Sequence, residues 1–294
     1  MAEIDLKLPE VKVNTFRKET PAKAILLENR RLTDSASDAD VRHLVFQADG
    51  YEFLEGQSAG VLPPGENENG KQHAVRLYSI ASLGTDAAKN FSSHANLTLC
   101  VKRVVYNDET GKEIKGVASN YLCNLKPGDE VKLTGPAGRK FLLPAVDEIH
   151  RPYVFFATGT GIAPFRGMIQ RLFYVTKNFT HPVFLFFGAR FKVENLYADE
   201  FLSVDRPNFH YYTAFSREET TAEGKKMYVG DKMLDVSDHI YSVIKNPMTL
   251  FYICGLKGME SGITDAIRHM AEQNHLDAEE FEHSISERTI KEVY

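Results

Sequence analysis

The feature that most constrains the fold of this sequence is a change of pattern near residue 146. Before it, short runs of β-branched and aromatic residues, such as HLVFQA and EVKLTGP, are separated by turn segments such as PPGENENG and KPGD. After it, continuous apolar runs such as YVFFATG and MTLFYICG alternate with stretches of helical spacing. A chain of 294 residues is long enough for two cores, so each pattern predicts a domain.

The two patterns predict different architectures. Short strands at close spacing indicate an antiparallel barrel or sandwich. Strands that alternate with helices indicate a parallel sheet covered on both faces. Because ligands bind beyond the carboxyl ends of the strands in such a sheet, we expect a binding site there.

Composition and charge exclude several classes of protein. Hydrophobic residues make up 43% of the chain and charged residues 26%, as in an ordinary globular protein. The net charge of −5 is spread evenly, whereas a nucleic-acid-binding protein needs a basic surplus. No apolar run approaches the ~20 residues of a membrane span, and the first residues resemble neither a signal peptide nor a transit peptide. We therefore expect a cytoplasmic protein without a transmembrane segment.

The cysteines are few and widely spaced. Cys100, Cys123 and Cys254 form no CxxC motif and have no histidines at metal-binding spacing. This usage is typical of a reducing compartment and predicts no metal site.

The segment ATGTGIAPF joins a predicted buried strand to a predicted helix. Gly159 and Gly161 allow a ligand to approach the backbone, and the start of the following helix favours a phosphate. The segment departs from GxGxxG because Pro164 stands where the third glycine belongs. It is typical either of a tight turn or of a dinucleotide-binding turn of a different subclass.

A second strand end carries the residue types that bind a 2′-phosphate. Ser216, Arg217, Lys226 and Tyr228 offer a hydroxyl, an arginine fork, a second cation and an aromatic ring for adenine. Alone, the segment also fits a solvated loop. Beside a dinucleotide turn it favours NADP, since NAD selectivity typically uses an acidic side chain on the ribose.

Two further segments have a structural and a functional interpretation. In YICGLKGME, Cys254 is either a buried structural thiol or a group beside a reacting ring. In RLYSIAS, Arg76, Tyr78 and Ser79 supply the cation, the ring and the small donor that a flavin needs, although the same alternation is common on strands.

Taken in order, the motifs resemble plant-type ferredoxin–NADP+ reductase. The resemblance covers residues 20–294 and rests on RLYSIAS, LCVKRVVY, KGVASNYLCNLKPGDEVKLTGPAG, GTGIAPFRG, YICGLKGME and the terminal EVY, of which the last two are the most specific. It implies an N-terminal extension over residues 1–19, an FAD-binding antiparallel β-barrel over 20–145 and an NADP(H)-binding α/β domain over 146–294, with the reaction at their interface. The implied activity is electron transfer between NADP(H), as a hydride, and ferredoxin or flavodoxin, one electron at a time, through FAD.

The resemblance also assigns residues by position. It implies FAD contacts at Arg76, Tyr78, Ser79, Cys100, Val101, Lys102, Tyr106, Val117, Ala118 and Ser119. It implies NADP(H) contacts at Thr160, Ala189, Arg190, Ser216, Arg217, Lys226, Tyr228 and Leu256, and cofactor contacts at Glu292 and Tyr294. The implied catalytic set is Ser79, Cys254, Glu292 and Tyr294.

Within that set the implied roles differ. Ser79 is expected to hydrogen-bond near flavin N5, and Glu292 to connect that hydroxyl to solvent as a proton route. Cys254 is expected beside the nicotinamide. Tyr294 is expected to stack on the flavin opposite Tyr78 and to be displaced by the nicotinamide.

Two of the departures of this chain from the family pattern change the charge of a loop. Glu68 and Ala74 stand where plant members carry lysines, with Lys71 retained, which weakens the patch that would steer an acidic partner. Arg190 and Lys192 stand in a turn that is neutral in plant members, and they would add phosphate contacts in a manner typical of bacteria.

The expected protein is a monomer from a bacterial cytoplasm, or from a plastid stroma if a transit peptide was removed. Two other functions remain open at this point. One is an NADPH-dependent reductase module for another acceptor, such as a haem protein, and the other is a non-enzymatic FAD-binding sensor. Purely from the sequence, the direction of electron flow is open too.

Overall fold

The computed structural model describes residues 6–88 and 96–294, which form two compact units. The barrel unit consists of Glu10–Leu142 and Ala163–Val175, and the parallel-sheet unit of Met1–Pro9, Leu143–Ile162 and Thr176–Tyr294. Residues 1–5 of the predicted extension and 89–95 of the predicted barrel domain lie outside the described residues. The domain boundaries at 19/20 and 145/146 stay predictions.

The barrel unit is built from antiparallel strands. They are β1 Ala22–Arg31, β2 Val41–Gln47, β3 Ser58–Leu62, β4 Arg76–Ser79, β5 Asn96–Lys102, β6 Val105–Asn107, β7 Glu113–Lys115 and β8 Glu130–Ala137. One sheet has the order β4-β3-β8-β1-β2-β5, and a bridge between Ile80 and Leu99 joins its two ends. This closure makes a barrel and covers the edges that an open sheet would expose. The predicted antiparallel barrel is therefore confirmed.

Alternation along the strands explains which side faces the core. In β1, Ala22, Ala24 and Leu26 are buried, whereas the intervening Lys23 and Ile25 are exposed. The buried side chains join those of β2, β3, β5 and β8 in a single hydrophobic cluster.

The helices of the barrel unit are short. They are α1 Thr85–Ala88, α2 Val117–Asn124 and α3 Ala163–Gln170, which continues as a π-helical turn over Arg171–Val175. Two arginines fix α3 and this turn to the barrel. Arg166 donates to the carbonyl of Ala81 at 2.8 Å, and the Arg171 Nε donates to the buried carboxylate of Glu55 at 2.8 Å. We call residues 163–175 the connecting helix.

The parallel-sheet unit contains β9 Tyr153–Thr158, β10 Val183–Ala189, β11 Phe209–Phe215, β12 Leu250–Gly255 and β13 Thr289–Val293, in the order β11-β10-β9-β12-β13. Its helices are α4 Ala198–Leu202, α5 Val229–Asp235, α6 Ser237–Lys245, α7 Met259–Gln273 and α8 Ala278–Ser286. Short 3-10 turns cover Gly159–Ile162 and Lys192–Glu194. All neighbouring strands are parallel, which confirms the predicted α/β fold.

The central strands of this unit are buried on both faces. Val154 and Phe156 pack in one cluster with residues of α5, α6, α7 and α8, while Tyr153 and Phe155 are buried on the opposite face. This burial explains why the sequence shows continuous apolar runs here and alternation in the first half. Among the residues described, no helix combines the length and apolar character needed to cross a bilayer.

Candidate active site

The strand order reverses between β9 and β12 in the parallel-sheet unit. From β9 the chain proceeds to β10 and β11 on one side, whereas β12 and β13 lie on the other side. Such a switch point leaves a crevice at the carboxyl ends of the two central strands, where ligands bind. The segments GTGI and CGLK follow those two strand ends.

Glycines let the chain segments at the switch point approach closely. A Cβ on Gly161 would lie 2.1 Å from the carbonyl oxygen of Cys254, so only glycine fits this turn. Gly255 has a φ of +136° and leaves room for the Thr158 hydroxyl, which accepts a hydrogen bond from the Leu256 N–H at 2.9 Å. The backbone after β9 is thus packed directly against the backbone after β12.

The last residue of the chain is fixed at the same place. The Tyr294 N–H donates to the Gly255 carbonyl at 3.0 Å, and the Tyr294 carbonyl accepts from the Lys257 N–H at 3.3 Å. The hydroxyls of Tyr294 and Thr160 lie 2.8 Å apart, in hydrogen-bond contact. The Tyr294 ring is 61% exposed, so its backbone is held while its side chain faces solvent at the glycine turn.

Cys254 and Glu292 are register partners on the parallel strands β12 and β13. Cys254 is completely buried. Burial raises the pKa of the Cys254 thiol, and the neighbouring Glu292 carboxylate raises it further. The thiol therefore stays protonated at neutral pH and contributes a small neutral group rather than a nucleophile.

The residues predicted to bind phosphate lie at the ends of β10 and β11. The Ser216 N–H donates to the Ala189 carbonyl at 3.0 Å, and the Arg217 N–H donates to the Arg190 carbonyl at 2.9 Å. Backbone pairing thus continues beyond the two strands and brings the backbones of Arg190 and Arg217 together.

Lys226 and Tyr228 lie on the segment that follows. Lys226 is exposed and forms a bridge with Thr220, and Tyr228 is 55% exposed. The Tyr228 N–H donates to Asp231 at the start of α5. The segment after β11 therefore presents a cation and an aromatic ring to solvent.

Sequence reasoning missed Glu194. Its carboxylate accepts hydrogen bonds from the Arg190 guanidinium and, at 3.3 Å, from the Arg190 N–H. Glu194 is only 8% exposed. The four-residue spacing between an arginine and a glutamate was the available signal, but it indicates a pair only on a helical backbone.

The residues predicted to bind FAD lie on the barrel unit. Arg76 is exposed on β4, Tyr78 and Ser79 are half-buried on the same strand, and Cys100 and Val101 are buried on β5. Burial raises the pKa of Tyr78 to about 12, so its hydroxyl remains neutral.

The start of α2 has the donors that a diphosphate needs, but Ser119 differs from expectation. The Ser119 hydroxyl donates to the Gly116 carbonyl at 3.2 Å and accepts from the Val104 N–H at 3.1 Å. It holds the adjoining loop, which leaves the backbone N–H groups of Val117, Ala118 and Ser119 as the expected donors at the helix N-terminus.

Exposed apolar side chains surround these positions. Leu77 is 61% exposed, Tyr106 56% and Val117 50%, although each is large and apolar. Lys102 is exposed on the strand that leads to Tyr106. Together with the cations Arg76 and Lys102, these side chains have the chemistry that a flavin nucleotide needs, so the residues present fit this cofactor.

Known proteins resemble the chain over nearly its full length. Residues 155–265 match the family model of the oxidoreductase NAD-binding domain. The chain is 39% identical over 293 residues to the chloroplastic ferredoxin–NADP reductase of Spinacia oleracea, covering 97% of this chain and 78% of that protein. The chain belongs to the ferredoxin–NADP reductase family.

Two other comparisons agree with this membership. A ferredoxin–NADP reductase of Picosynechococcus sp. is 40% identical over 296 residues, covering 97% of this chain and 72% of that protein. The structure of the Plasmodium falciparum ferredoxin–NADP+ reductase with 2′P-AMP matches with a TM-score of 0.72 and 26% identity, covering 96% of this chain and 99% of that chain. The predicted family, oxidoreductase class and function as a ferredoxin–NADP+ reductase are confirmed, as is the cofactor pair of the family, FAD and NADP(H).

The residues that the structure describes contain no candidate metal site. Within residues 6–88 and 96–294, no group of three or more His, Cys, Asp or Glu side chains is arranged to hold a metal ion.

Proposed function

We propose that this ferredoxin–NADP reductase family member transfers electrons between NADP(H) and a one-electron carrier, ferredoxin or flavodoxin, with the residues named above. The observation that carries the proposal is the convergence of the GTGI turn, Cys254 and Tyr294 at the switch point of the parallel sheet. Bound FAD supplies the exchange between a two-electron hydride and single electrons. The side chains bind and orient the nucleotides and hold protons.

On the NADP(H) side, the adenosine 2′-phosphate is bound by Arg190, Ser216, Arg217 and Lys226. The arginines offer paired N–H donors that match the geometry of a phosphate. Their adjacent positions at the ends of β10 and β11 support this role. The exposed ring of Tyr228 stacks on adenine.

The turn at Thr160 binds the coenzyme diphosphate through backbone N–H groups. The hydrogen bond between Thr160 and Tyr294 supports a gating role for the terminal ring. The nicotinamide half of the coenzyme must enter the crevice that the ring faces, so the ring must swing away.

Cys254 packs as a neutral thiol beside the nicotinamide, and Glu292 carries a proton towards solvent. The register pairing of the two residues and the raised pKa of the thiol support this division. Since the Cys254 thiol stays protonated, the Glu292 carboxylate is the group that transfers the proton.

In the barrel unit, Arg76 and the N-terminus of α2 bind the FAD diphosphate, and Tyr78 stacks on the ring system. Ser79 donates a hydrogen bond near N5. Cys100, Val101, Lys102 and Tyr106 complete the flavin contacts. The exposed apolar surface around Tyr106 and Val117 supports this assignment.

The partner is bound transiently and weakly steered. Glu68 and Ala74 lower the positive charge of the loop before β4, so partner association depends less on ionic strength than in lysine-rich members. We propose a monomer in a bacterial cytoplasm, with the plastid stroma as the alternative. The three cysteines are buried thiols that form no disulfide, which supports a reducing compartment.

One set of measurements tests this function. The purified protein is expected to be yellow, to release FAD on denaturation and to reduce ferricyanide much faster with NADPH than with NADH. Stopped-flow mixing with reduced ferredoxin, reduced flavodoxin and NADPH then gives the rates in both directions and identifies the preferred carrier. A colourless protein that cannot be loaded with FAD would overturn the proposal.

A further inference from the structure

A buried carboxylate lies beside the proposed 2′-phosphate site, and the reaction does not require it. The Arg190 guanidinium donates to both oxygens of Glu194, through Nε at 3.3 Å and through Nη2, and the Arg190 N–H adds a further bond at 3.3 Å. The Glu194 side chain is 10% exposed and the Arg190 side chain 42%. The pair thus has a buried acidic end and a solvent-facing basic end.

The position of Glu194 is fixed by its backbone. The Glu194 N–H donates to the Phe191 carbonyl at 3.0 Å, and the Asn195 N–H donates to the Lys192 carbonyl at 2.9 Å, which closes the 3-10 turn. The Asn195 side chain accepts from the Tyr211 hydroxyl at 2.6 Å. These bonds fix the backbone of Glu194, and the bonds from Arg190 hold the carboxylate beside the guanidinium.

Other charges near the pair make the site nearly neutral. Glu218 accepts from the Lys192 N–H, and Glu219 accepts from the Phe215 N–H at 3.1 Å. Arg217 and Lys226 are exposed on the same strand end and on the segment after it. A dianionic phosphate approaching Arg190 meets acidic groups as well as cations.

We propose that Glu194 is a specificity-determining residue that limits the affinity of this site for the 2′-phosphate. The proposal rests on the proposed role of Arg190 as a phosphate contact. An arginine has five N–H donors, more than one carboxylate can take, so Arg190 can bind phosphate while paired with Glu194. The carboxylate then repels the phosphate across the guanidinium, and burial protects that repulsion from screening by salt. The outcome is a phosphorylated coenzyme that is released more readily, with a smaller preference over the form that lacks the phosphate.

The test uses fragments of the coenzyme that carry no nicotinamide. FAD-loaded protein is titrated calorimetrically with 2′-phospho-AMP and with AMP. In the Glu194→Gln variant the side-chain carbonyl still accepts from Arg190, but the charge is gone. We expect 2′-phospho-AMP to bind about three- to tenfold tighter and AMP to bind unchanged, because one nearby charge has been removed.

Two control variants and one double variant separate this effect from a structural role. Glu194→Asp keeps the charge and is expected to gain no affinity. Glu218→Gln removes the same charge from an acid that bonds the Lys192 backbone, and it is expected to gain less than Glu194→Gln. In an Arg190→Ala background, Glu194→Gln is still expected to raise the affinity for 2′-phospho-AMP, because the repulsion between the carboxylate and the phosphate does not require the guanidinium.

The outcomes are distinct. If Glu194→Gln weakens 2′-phospho-AMP or leaves it unchanged, Glu194 merely orders Arg190 and the inference is wrong. An equal gain from Glu218→Gln would reduce the effect to general charge and also overturn the inference. If the unmodified protein binds AMP as tightly as 2′-phospho-AMP, the proposed 2′-phosphate site itself fails.

Discussion

The residues proposed for the two nucleotides occupy different kinds of backbone. Tyr78 and Ser79 lie within β4, paired with Ala59 and Ser58 of β3, and Cys100 lies within β5, paired with β2. The NADP(H) residues, by contrast, lie mostly beyond the last residues of their strands, as Thr160, Arg217 and Leu256 do. In the barrel unit these flavin residues lie on hydrogen-bonded strands, whereas in the parallel-sheet unit the coenzyme residues lie mostly on the turns after the strands.

This difference matches the different demands of the two ligands. A flavin that stays bound is best held by side chains on strands that pair with neighbouring strands, because the hydrogen bonds between the strands keep each side chain in place. A coenzyme that exchanges in every turnover is served by strand ends, where loops carry the binding groups and side chains reach solvent. The comparison predicts that changes in the barrel unit act mainly on stability and flavin retention, and changes at the strand ends on coenzyme affinity.

The largest effect is expected from Glu55→Ala in the barrel unit. The change leaves the Arg171 guanidinium, whose side chain is 12% exposed, without its buried partner and with the exposed Asp86. Breaking a buried pair in this way costs about 3–5 kcal/mol in the free energy of unfolding. Urea denaturation of the FAD-loaded protein, followed by flavin fluorescence, measures the loss.

Lys12→Ala is the control for that change. It removes the exposed ion pair with Glu52 and is expected to leave the unfolding midpoint nearly unchanged. Equal effects of the two substitutions would show that the connecting helix adds nothing to the barrel unit.

Arg217→Leu is expected to have the next largest effect, and only on the coenzyme. Loss of a charged hydrogen bond to the 2′-phosphate costs about 1.5–3 kcal/mol, so kcat/KM for NADPH falls about 10- to 100-fold. Activity with NADH and the unfolding midpoint stay the same. A parallel loss with NADH would place Arg217 outside the 2′-phosphate site.

Tyr294→Ser is expected to have a smaller effect of the opposite sign on binding. Removing the ring tightens NADP+ binding, raises the use of NADH and slows turnover, because aromatic stacking is worth about 0.5–1.5 kcal/mol beyond buried area. Tyr294→Phe keeps the ring and loses the hydrogen bond to Thr160, so it separates stacking from tethering. Unchanged NADP+ affinity in Tyr294→Ser would show that the ring does not compete with the nicotinamide for its site.

The smallest effect concerns the Cys254 thiol, which is completely buried. Because burial and the Glu292 carboxylate raise its pKa, the neutral thiol persists as the pH rises through 8, and the rate shows no thiol ionisation there. Iodoacetamide labelling at pH 8, with peptide mapping, is expected to be slow in the folded protein and fast in urea. Rapid labelling of Cys254 in the folded state would contradict this.

Local patterns allowed much of the fold and of the site to be predicted. Continuous apolar runs identified the parallel strands, and Gly159 and Gly161 identified the turn after β9, because these signals lie within a few residues of each other. Closure of the barrel through Ile80 and Leu99 was not visible, since it depends on pairing between distant residues.

Some side-chain roles were equally hidden from the sequence. The Ser119 hydroxyl bonds the backbone of Gly116 and Val104, and Glu194 pairs with Arg190 across a turn that no periodic pattern identifies. Both depend on loop geometry, which hydrophobic patterning does not determine. The proposed coenzyme specificity therefore involves a residue that no motif contains.

The connecting helix has a consequence for exchanging parts between relatives. It follows β9 of the parallel-sheet unit in the chain, yet Arg166 and Arg171 fasten it to Ala81 and Glu55 of the barrel unit. A chimaera joined at residue 145 would take its barrel from one parent and this helix from the other, separating Glu55 from its native cation. Transferring residues 163–175 together with the barrel restores the Arg171–Glu55 pair. The complete barrel unit is therefore encoded by two separate segments of the gene.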